Sequence, residues 1–203
     1  MQDELLIRRA QRGDADAFEQ LLLEHQKNVY NLCYRMAGNP DDAMDLSQET
    51  FLRAWRCLDQ YQFASAFSTW LYRLCSNICI DFLRRRRRQQ TVPLTFEDAD
   101  GEEQTYAVPD AQPLPEEQVE LKLTRETLAA AMAQLLPEHR AVLQLRVVNE
   151  MSYEQIADVL DIQIGTVKSR LSRARNQLKK ILERGNLSRR ASSESMEGEV
   201  AAK

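Results

Sequence analysis

SYEQIADVLDIQIGTVKSRLSRARNQL, residues 152–178, carries two helix signatures separated by a short turn. Ser152 followed three residues later by Gln155 is a capping box: the hydroxyl accepts a first-turn backbone N–H and the amide reaches back to the cap. Behind it, Ile156, Ala157 and Leu160 recur at helical spacing. Asp161, Ile162, Gln163 and Ile164 make a turn, and a second helix starts at about Gly165. A short capped helix, a tight turn and a longer helix form the length pattern of a helix-turn-helix.

The second helix can be read by angle at about 100° per residue. With Val167 at the origin, Leu171, Ala174 and Leu178 fall within about 40° of it, which makes a buried stripe. Lys168, Ser169, Ser172, Arg173 and Asn176 occupy the opposite face. Cationic and hydrogen-bonding side chains on one helix face suit base edges and phosphates in a major groove. Arg170, Arg175, Lys179 and Lys180 flank that face as phosphate contacts.

Upstream, the pattern predicts helices over about 137–148 and 116–135, the latter stopping before Pro137. Residues 89–116 break the helical pattern. Pro93, Pro109, Pro113 and Pro115 punctuate them, and Glu97, Asp98, Asp100, Glu102 and Glu103 cluster there. Such a segment cannot bury enough apolar surface to fold, so it reads as a flexible acidic linker. Downstream, the helix is expected to end near 183. Residues 185–203, rich in Ser, Glu and Ala, are expected to be a disordered tail.

The N-terminal block is helical throughout. Helices are expected over 3–12, from 14–16 to Ala37, over 41–57 and over 67–88, with a break at Gly38-Asn39-Pro40 and a loop over 58–66. With Phe67 at the origin, Leu71, Leu74, Ile78 and Phe82 fall within about 60°, a core stripe. Trp70, Arg73, Asn77, Asp81 and Arg84 form an adjoining stripe. An aromatic, an amide and guanidiniums on one surface can stack on, read and neutralise single-stranded DNA. Trp70 suits either that surface or a buried structural indole. Arg84 to Arg88, five arginines ending the helix, exceed what complementing the helix dipole requires and point to duplex phosphates.

The fold expected is all-α: two small helical domains, residues 1–88 and 117–184, joined by the linker 89–116. Its 203 residues carry a net charge of −4, but the charge is uneven. Residues 1–88 hold 13 basic and 12 acidic side chains, residues 89–136 hold 2 and 10, and residues 137–190 hold 11 and 6. A basic C-terminal block implies a polyanionic partner that the overall charge conceals. With 6 Gly and 6 Pro, a collagen-like or low-complexity chain is excluded. No apolar run approaches the ~18 residues of a membrane span, and no secretory signal is visible, so a cytoplasmic location is expected. Cys33, Cys57, Cys75 and Cys79 lack the spacing of a zinc ribbon; Cys75 and Cys79 share a helix face. They read as reduced, small buried hydrophobes, and no metal or cofactor is expected.

These motifs together resemble the extracytoplasmic-function (ECF) sigma factors of the sigma-70 family. DDAMDLSQETFLRAW (41–55) resembles region 2.2, and FSTWLYRL (67–74) with Asn77 resembles regions 2.3 and 2.4. LPEHR (136–140) resembles the start of region 4; SYEQIA (152–157), GTVKSRL (165–171) and RAR (173–175) resemble its helix-turn-helix. Nothing corresponds to regions 1.1 or 3. The resemblance implies a factor that binds core RNA polymerase, at the β′ coiled coil and the β flap, and directs it to −35 and −10 promoter elements. It also implies a cognate anti-sigma factor, of a kind that can be membrane-bound, and no small-molecule substrate or catalysis.

Residue by residue, the resemblance implies polymerase contact through Asp45, Gln48 and Glu49, which share a helix face. It implies −10 binding and melting through Tyr61, Trp70, Arg73, Asn77, Arg84 and Arg85, with Asn77 beside a flipped base. Reading of the −35 element falls to Thr166, Lys168, Ser169, Ser172, Arg173 and Asn176, with Arg170 and Arg175 on phosphates. The loop 59–66 departs from the family: Gln62 and Phe63 stand where a basic residue and a glycine are usual, so a different loop shape is expected. Family promoters place the two elements 16–18 base pairs apart, or ~55–60 Å. A flexible linker of about 28 residues has a root-mean-square span of ~30 Å and stretches to ~90 Å, enough to bridge. The rivals are a free-standing helix-turn-helix regulator, a decoy without melting, and an enzyme. No phosphate loop or nucleophile–base arrangement supports the last.

Overall fold

The computed structural model describes the backbone of residues 2–90 and 115–200 and the side chains of residues 3–89 and 124–185. Most of the expected linker, residues 91–114, and residues 201–203 of the tail lie outside them. Among the described residues there are eight α-helices and no strand: α1 (Gln2–Ala10), α2 (Ala15–Ala37), α3 (Pro40–Cys57), α4 (Phe67–Gln90), α5 (Pro115–Ala133), α6 (Pro137–Leu143), α7 (Tyr153–Leu160) and α8 (Ile164–Val200). None is long and apolar enough to cross a membrane.

Local chemistry sets most boundaries. Asp14 caps α2 by accepting the Ala17 N–H at 3.0 Å. Gly38 ends α2 in the left-handed conformation at φ 90°, its N–H returning to the Tyr34 carbonyl. Asn39 then caps α3, with Pro40 in the first turn, where its missing N–H costs nothing. The capping box of α7 forms with both its bonds, Ser152 N–H to Gln155 Oε1 at 2.8 Å and Gln155 N–H to Ser152 Oγ at 3.2 Å.

Three boundaries differ from expectation. The helix expected over 137–148 is α6 followed by a π-helical turn, Gln144–Val148. Asn149 N–H and Met151 N–H both return to this segment, widening its last turn. A short 3-10 turn, Leu58–Gln60, begins the loop after α3. The helix expected to stop near 183 instead runs to Val200, through the segment expected to be a disordered tail. Gly185 does not take the left-handed backbone that would end a helix there. No proline follows it before Val200, and Ala, Glu, Ser and Met sustain helical backbone.

In the first module α2 lies against α1, α3 and α4, around Leu21, Val29, Leu32, Met36, Ala43, Phe51 and Leu71. In the second, α8 lies against α5, α6 and α7, around Val142, Leu145, Ile156, Val159, Val167 and Leu171. The two modules touch: α4 meets both α6 and α7. That explains a departure on α4. Phe67, Leu71 and Ile78 are buried as expected, but Leu74 and Phe82 are only half-buried, while Ser76 and Ile80 are buried at 2% and 7% exposure. The helix is covered on two sides rather than one.

Candidate nucleic-acid and protein interfaces

The second helix of the motif, α8, has the division its periodicity predicts. Val167, Leu171 and Ala174 are buried, and Leu178 is half-buried. Lys168, Ser169, Ser172, Arg173, Arg175 and Asn176 are exposed; Thr166 and Arg170 are half-buried at the edge. Two local contacts shape this surface: Ser169 Oγ donates to the Thr166 carbonyl at 3.0 Å, and the Lys168 ammonium lies 6.0 Å from the Tyr153 ring centre. Arg146, which periodicity did not single out, stacks over the other side of this junction, its guanidinium 5.1 Å from Tyr153, and donates to the Met151 carbonyl at 2.7 Å. The result is an open cationic face on a helix braced by α7, the form that enters a major groove.

On α4, Asn77, Asp81 and Arg84 are exposed and Trp70 and Arg73 half-buried, so the stripe opens outward from Asn77 onward. The Trp70 ring leans on Tyr61 at 5.3 Å and Phe67 at 5.6 Å, which makes it part of an aromatic group supporting the stripe. Tyr61 differs from expectation. It is buried at 6% exposure and its hydroxyl donates to the Ser65 carbonyl at 2.7 Å. The ring fills the space under the loop and the hydroxyl closes it, so Tyr61 shapes the loop and has no face free to stack on a base. Burial, with Asp3 and Glu4 nearby, pushes its phenol above the ordinary value of 10.0.

The loop itself is held from α1 and the turn that follows it, which sequence periodicity gave no reason to involve. Gln11 Nε2 donates to the Leu58 carbonyl at 2.9 Å and the Tyr61 carbonyl at 2.8 Å, and the Arg8 guanidinium lies 4.7 Å over the Phe63 ring. Phe63 takes a left-handed backbone, φ 59°. The atypical phenylalanine therefore adopts the conformation that a glycine at this place adopts freely, and the loop turns despite it.

Of the five arginines, Arg84 pairs with Glu138 and Arg86 with Asp42, and Arg85 is exposed. Across the bundle, the α3 face is open: Asp45, Gln48 and Glu49 are exposed, and Met44 and Leu52 beside them are each 51% exposed. Acidic and amide groups around two uncovered apolar side chains make a surface fit for a basic helical partner. Sequence reasoning did not single out these two apolar members, because charge and amide spacing alone defined the face.

Three of the four thiols meet inside the first module. Cys33 Sγ of α2 lies 3.4 Å from Cys75 Sγ and 3.9 Å from Cys79 Sγ of α4, all buried, while Cys57 stands apart, half-buried. Thiol hydrogen bonding and burial push Cys75 and Cys79 well above the ordinary 9.0, keeping them neutral, while the same hydrogen bonds draw Cys33 down to about 5.

Comparison with known proteins agrees with this geometry. The family profile for Sigma-70 region 2 matches residues 21–89, and that for Sigma-70, region 4 matches residues 125–178. The chain is 33% identical over 176 residues to the ECF RNA polymerase sigma factor SigW of Bacillus subtilis, covering 87% of this chain and 94% of that one. It is 37% identical over 183 residues to the RNA polymerase sigma-H factor of Pseudomonas aeruginosa, covering 90% and 94%. Among solved structures, CnrH in complex with the cytosolic domain of CnrY superposes with a TM-score of 0.62 at 27% identity, covering 90% of this chain and 98% of that one. The sigma factor RpoE in complex with the anti-sigma factor NepR from Bartonella quintana gives 0.58 at 27% identity, over 82% and 96%.

Proposed function

Because the chain belongs to the extracytoplasmic-function sigma factors of the sigma-70 family, we propose how its surfaces divide the work of promoter-specific initiation. The first module takes residues 1–88 and the second 117–184, with 89–116 as the tether. The α3 face of Asp45, Gln48 and Glu49, with Met44 and Leu52, docks on core RNA polymerase at the β′ coiled coil, and the β flap takes the second module. The exposed face of α8 reads the −35 duplex through Thr166, Lys168, Ser169, Ser172, Arg173 and Asn176, with Arg170 and Arg175 on phosphates. The α4 stripe of Trp70, Arg73, Asn77, Arg84 and Arg85 takes the −10 strand. Capturing an unstacked base beside Asn77 favours the open duplex, since the energy of holding it is available only after melting. Tyr61 serves by shaping the loop beside that stripe.

The observation that carries this reading is the pairing of two outward DNA-type faces, on α4 and α8, with an open acidic face on α3 in one chain. The chain acts as a recognition subunit in the cytoplasm, without catalytic chemistry, cofactor or small-molecule substrate. The complexes of CnrH with CnrY and of RpoE with NepR support an anti-sigma partner here as well.

Run-off transcription with purified core polymerase over a promoter library tests the reading. Defined start sites that require this chain are expected. Asn77→Ala is expected to lower open-complex formation at least tenfold, about 1.4 kcal/mol, while leaving core binding unchanged. Loss of core binding by that variant would move Asn77 out of the DNA surface.

A further inference from the structure

Cys33 of α2 and Cys75 and Cys79 of α4 bring three sulfurs to one point inside the first module. Cys75 and Cys79 stand four residues apart and so share one side of α4. Cys33 meets them there, its Sγ 3.4 Å from that of Cys75 and 3.9 Å from that of Cys79, and all three sulfurs fall within 4.8 Å of one another. All three residues are 0% exposed. Sulfurs held by one small ion, at a metal–sulfur distance of ~2.3 Å and near-tetrahedral angles, lie ~3.8 Å apart. The cluster therefore has the spacing of a three-sulfur ligand set. A disulfide would draw two of the sulfurs together from 3.4 Å to ~2.05 Å and leave the third idle; a shared ion engages all three.

The surroundings select the ion by charge. Among the described residues of the first module no charged side chain is buried; the buried polar groups are the hydroxyls of Ser47, Thr50, Thr69 and Ser76. The buried guanidinium of Arg140, from α6, is engaged with the Met36 carbonyl. Three thiolates around a monovalent or divalent ion would leave net negative charge in this apolar interior, which is costly without a cation beside it. Around a trivalent ion they leave none. Zinc would also need a fourth ligand, and the ligating group here is the three thiols. We propose that Cys33, Cys75 and Cys79 form a binding site for a trivalent, thiophilic ion, arsenic(III) being the type, and that its occupancy ties α2 to α4. Soft sulfur ligands suit such an ion. With arsenous acid the exchange balances without oxidation or reduction: three As–O bonds break, three As–S bonds form, and each thiol proton leaves with a hydroxide as water. The site lies on the side of α4 opposite exposed Asn77. It uses no residue assigned to DNA or polymerase, so it stands apart from the promoter assignment.

The full-length chain tests this, reduced with a phosphine because dithiols compete for arsenic. Unfolding it in urea and refolding it with arsenite gives the ion access to thiols that are closed in the folded state. After free arsenite is removed, native mass spectrometry is expected to show one arsenic gained and three hydrogens lost per chain. Binding through only two sulfurs would keep a hydroxide on the arsenic and read heavier by one water. Urea unfolding of the loaded chain is expected to give an unfolding equilibrium constant at least about tenfold lower than that of the ion-free chain, as binding to the folded state requires. Cys57→Ala is expected to behave as the native chain does. Cys33→Ala is expected to keep its helical circular dichroism and lose the three-sulfur form; Cys75→Ala repeats the comparison if Cys33→Ala does not fold. A native chain that retains no arsenic, or holds it through two sulfurs, overturns the proposal, as does equal retention by folded Cys33→Ala. Zinc, refolded with the chain in the same way, is expected to wash out; zinc held as firmly as arsenic overturns the choice of a trivalent ion.

Discussion

Phe63 shows how a residue with a side chain can hold a backbone conformation that glycine adopts freely. Its left-handed backbone, φ 59°, costs a residue with a Cβ about 1–2 kcal/mol. Its ring recovers part of this by lying 4.8 Å from Tyr61 and beneath Arg8, contacts worth about 0.5–1.5 kcal/mol each. The two effects are of similar size and opposite sign. Phe63→Gly is therefore expected to change stability little, since strain and ring leave together. Phe63→Ala keeps the strain and loses the ring, so it should be less stable than Phe63→Gly by roughly 1 kcal/mol. Urea unfolding of the two variants side by side measures the difference, and equal midpoints would mean that the loop relaxes around alanine.

At the scale of elements, legibility depended on how many sides of a helix are covered. The face of α8 was readable because one stripe, Val167, Leu171 and Ala174, is buried and everything opposite is wet. The α4 helix was only half readable: the outward position of Asn77, Asp81 and Arg84 was found, but Ile80 and Ser76 are buried by a module distant in sequence, which no local period encodes. Arg8 of α1 and Gln11 of the turn after it, which hold the loop, were hidden for the same reason. So was the meeting of Cys33 with Cys75 and Cys79; helical spacing joined the last two, and only packing of α2 on α4 adds the first. That cluster makes a reactivity prediction. Cys33, Cys75 and Cys79 are all buried out of reach of a reagent, so iodoacetamide should modify the folded chain at Cys57 alone and the denatured chain at all four cysteines, as counted by intact mass. On α3, Asp45→Lys with Glu49→Lys reverses two exposed charges without touching the core. The pair should abolish core polymerase binding while leaving the unfolding midpoint within about 0.5 kcal/mol of native. Retained binding would send the polymerase contact to another face.

For the whole molecule, the junction between modules sets a pH dependence with a definite sign. Burial raises the Glu138 carboxyl, but its own backbone N–H and the Arg84 guanidinium, with Arg170 of α8 nearby, outweigh burial and leave it below the ordinary 4.5. The Arg84 part of this lowering exists only while the modules touch, and through it the docked carboxyl binds fewer protons than the undocked one near that pH. Its contribution to docking is thus complete above about 4.5 and is lost as the pH falls through the lowered value. The Arg84 side chain is half exposed, so the pair alone is worth at most about 1 kcal/mol; buried Arg140 of α6, whose Nη1 donates to the Met36 carbonyl of α2 at 2.5 Å, and the apolar face of α4 at Ile80 and Leu83 carry the rest. Hydrogen exchange across α4 should therefore show Tyr72 to Leu83 protected at neutral pH, with protection falling several-fold as the solution is acidified below pH 4.5. Glu138→Gln should show the lower protection already at neutral pH and lose that acid step, while the first module's own core, around Leu21 and Leu71, stays protected in both. An acid step that persists in Glu138→Gln would assign the titration to another carboxyl and leave the docking to Arg140 and the apolar face alone.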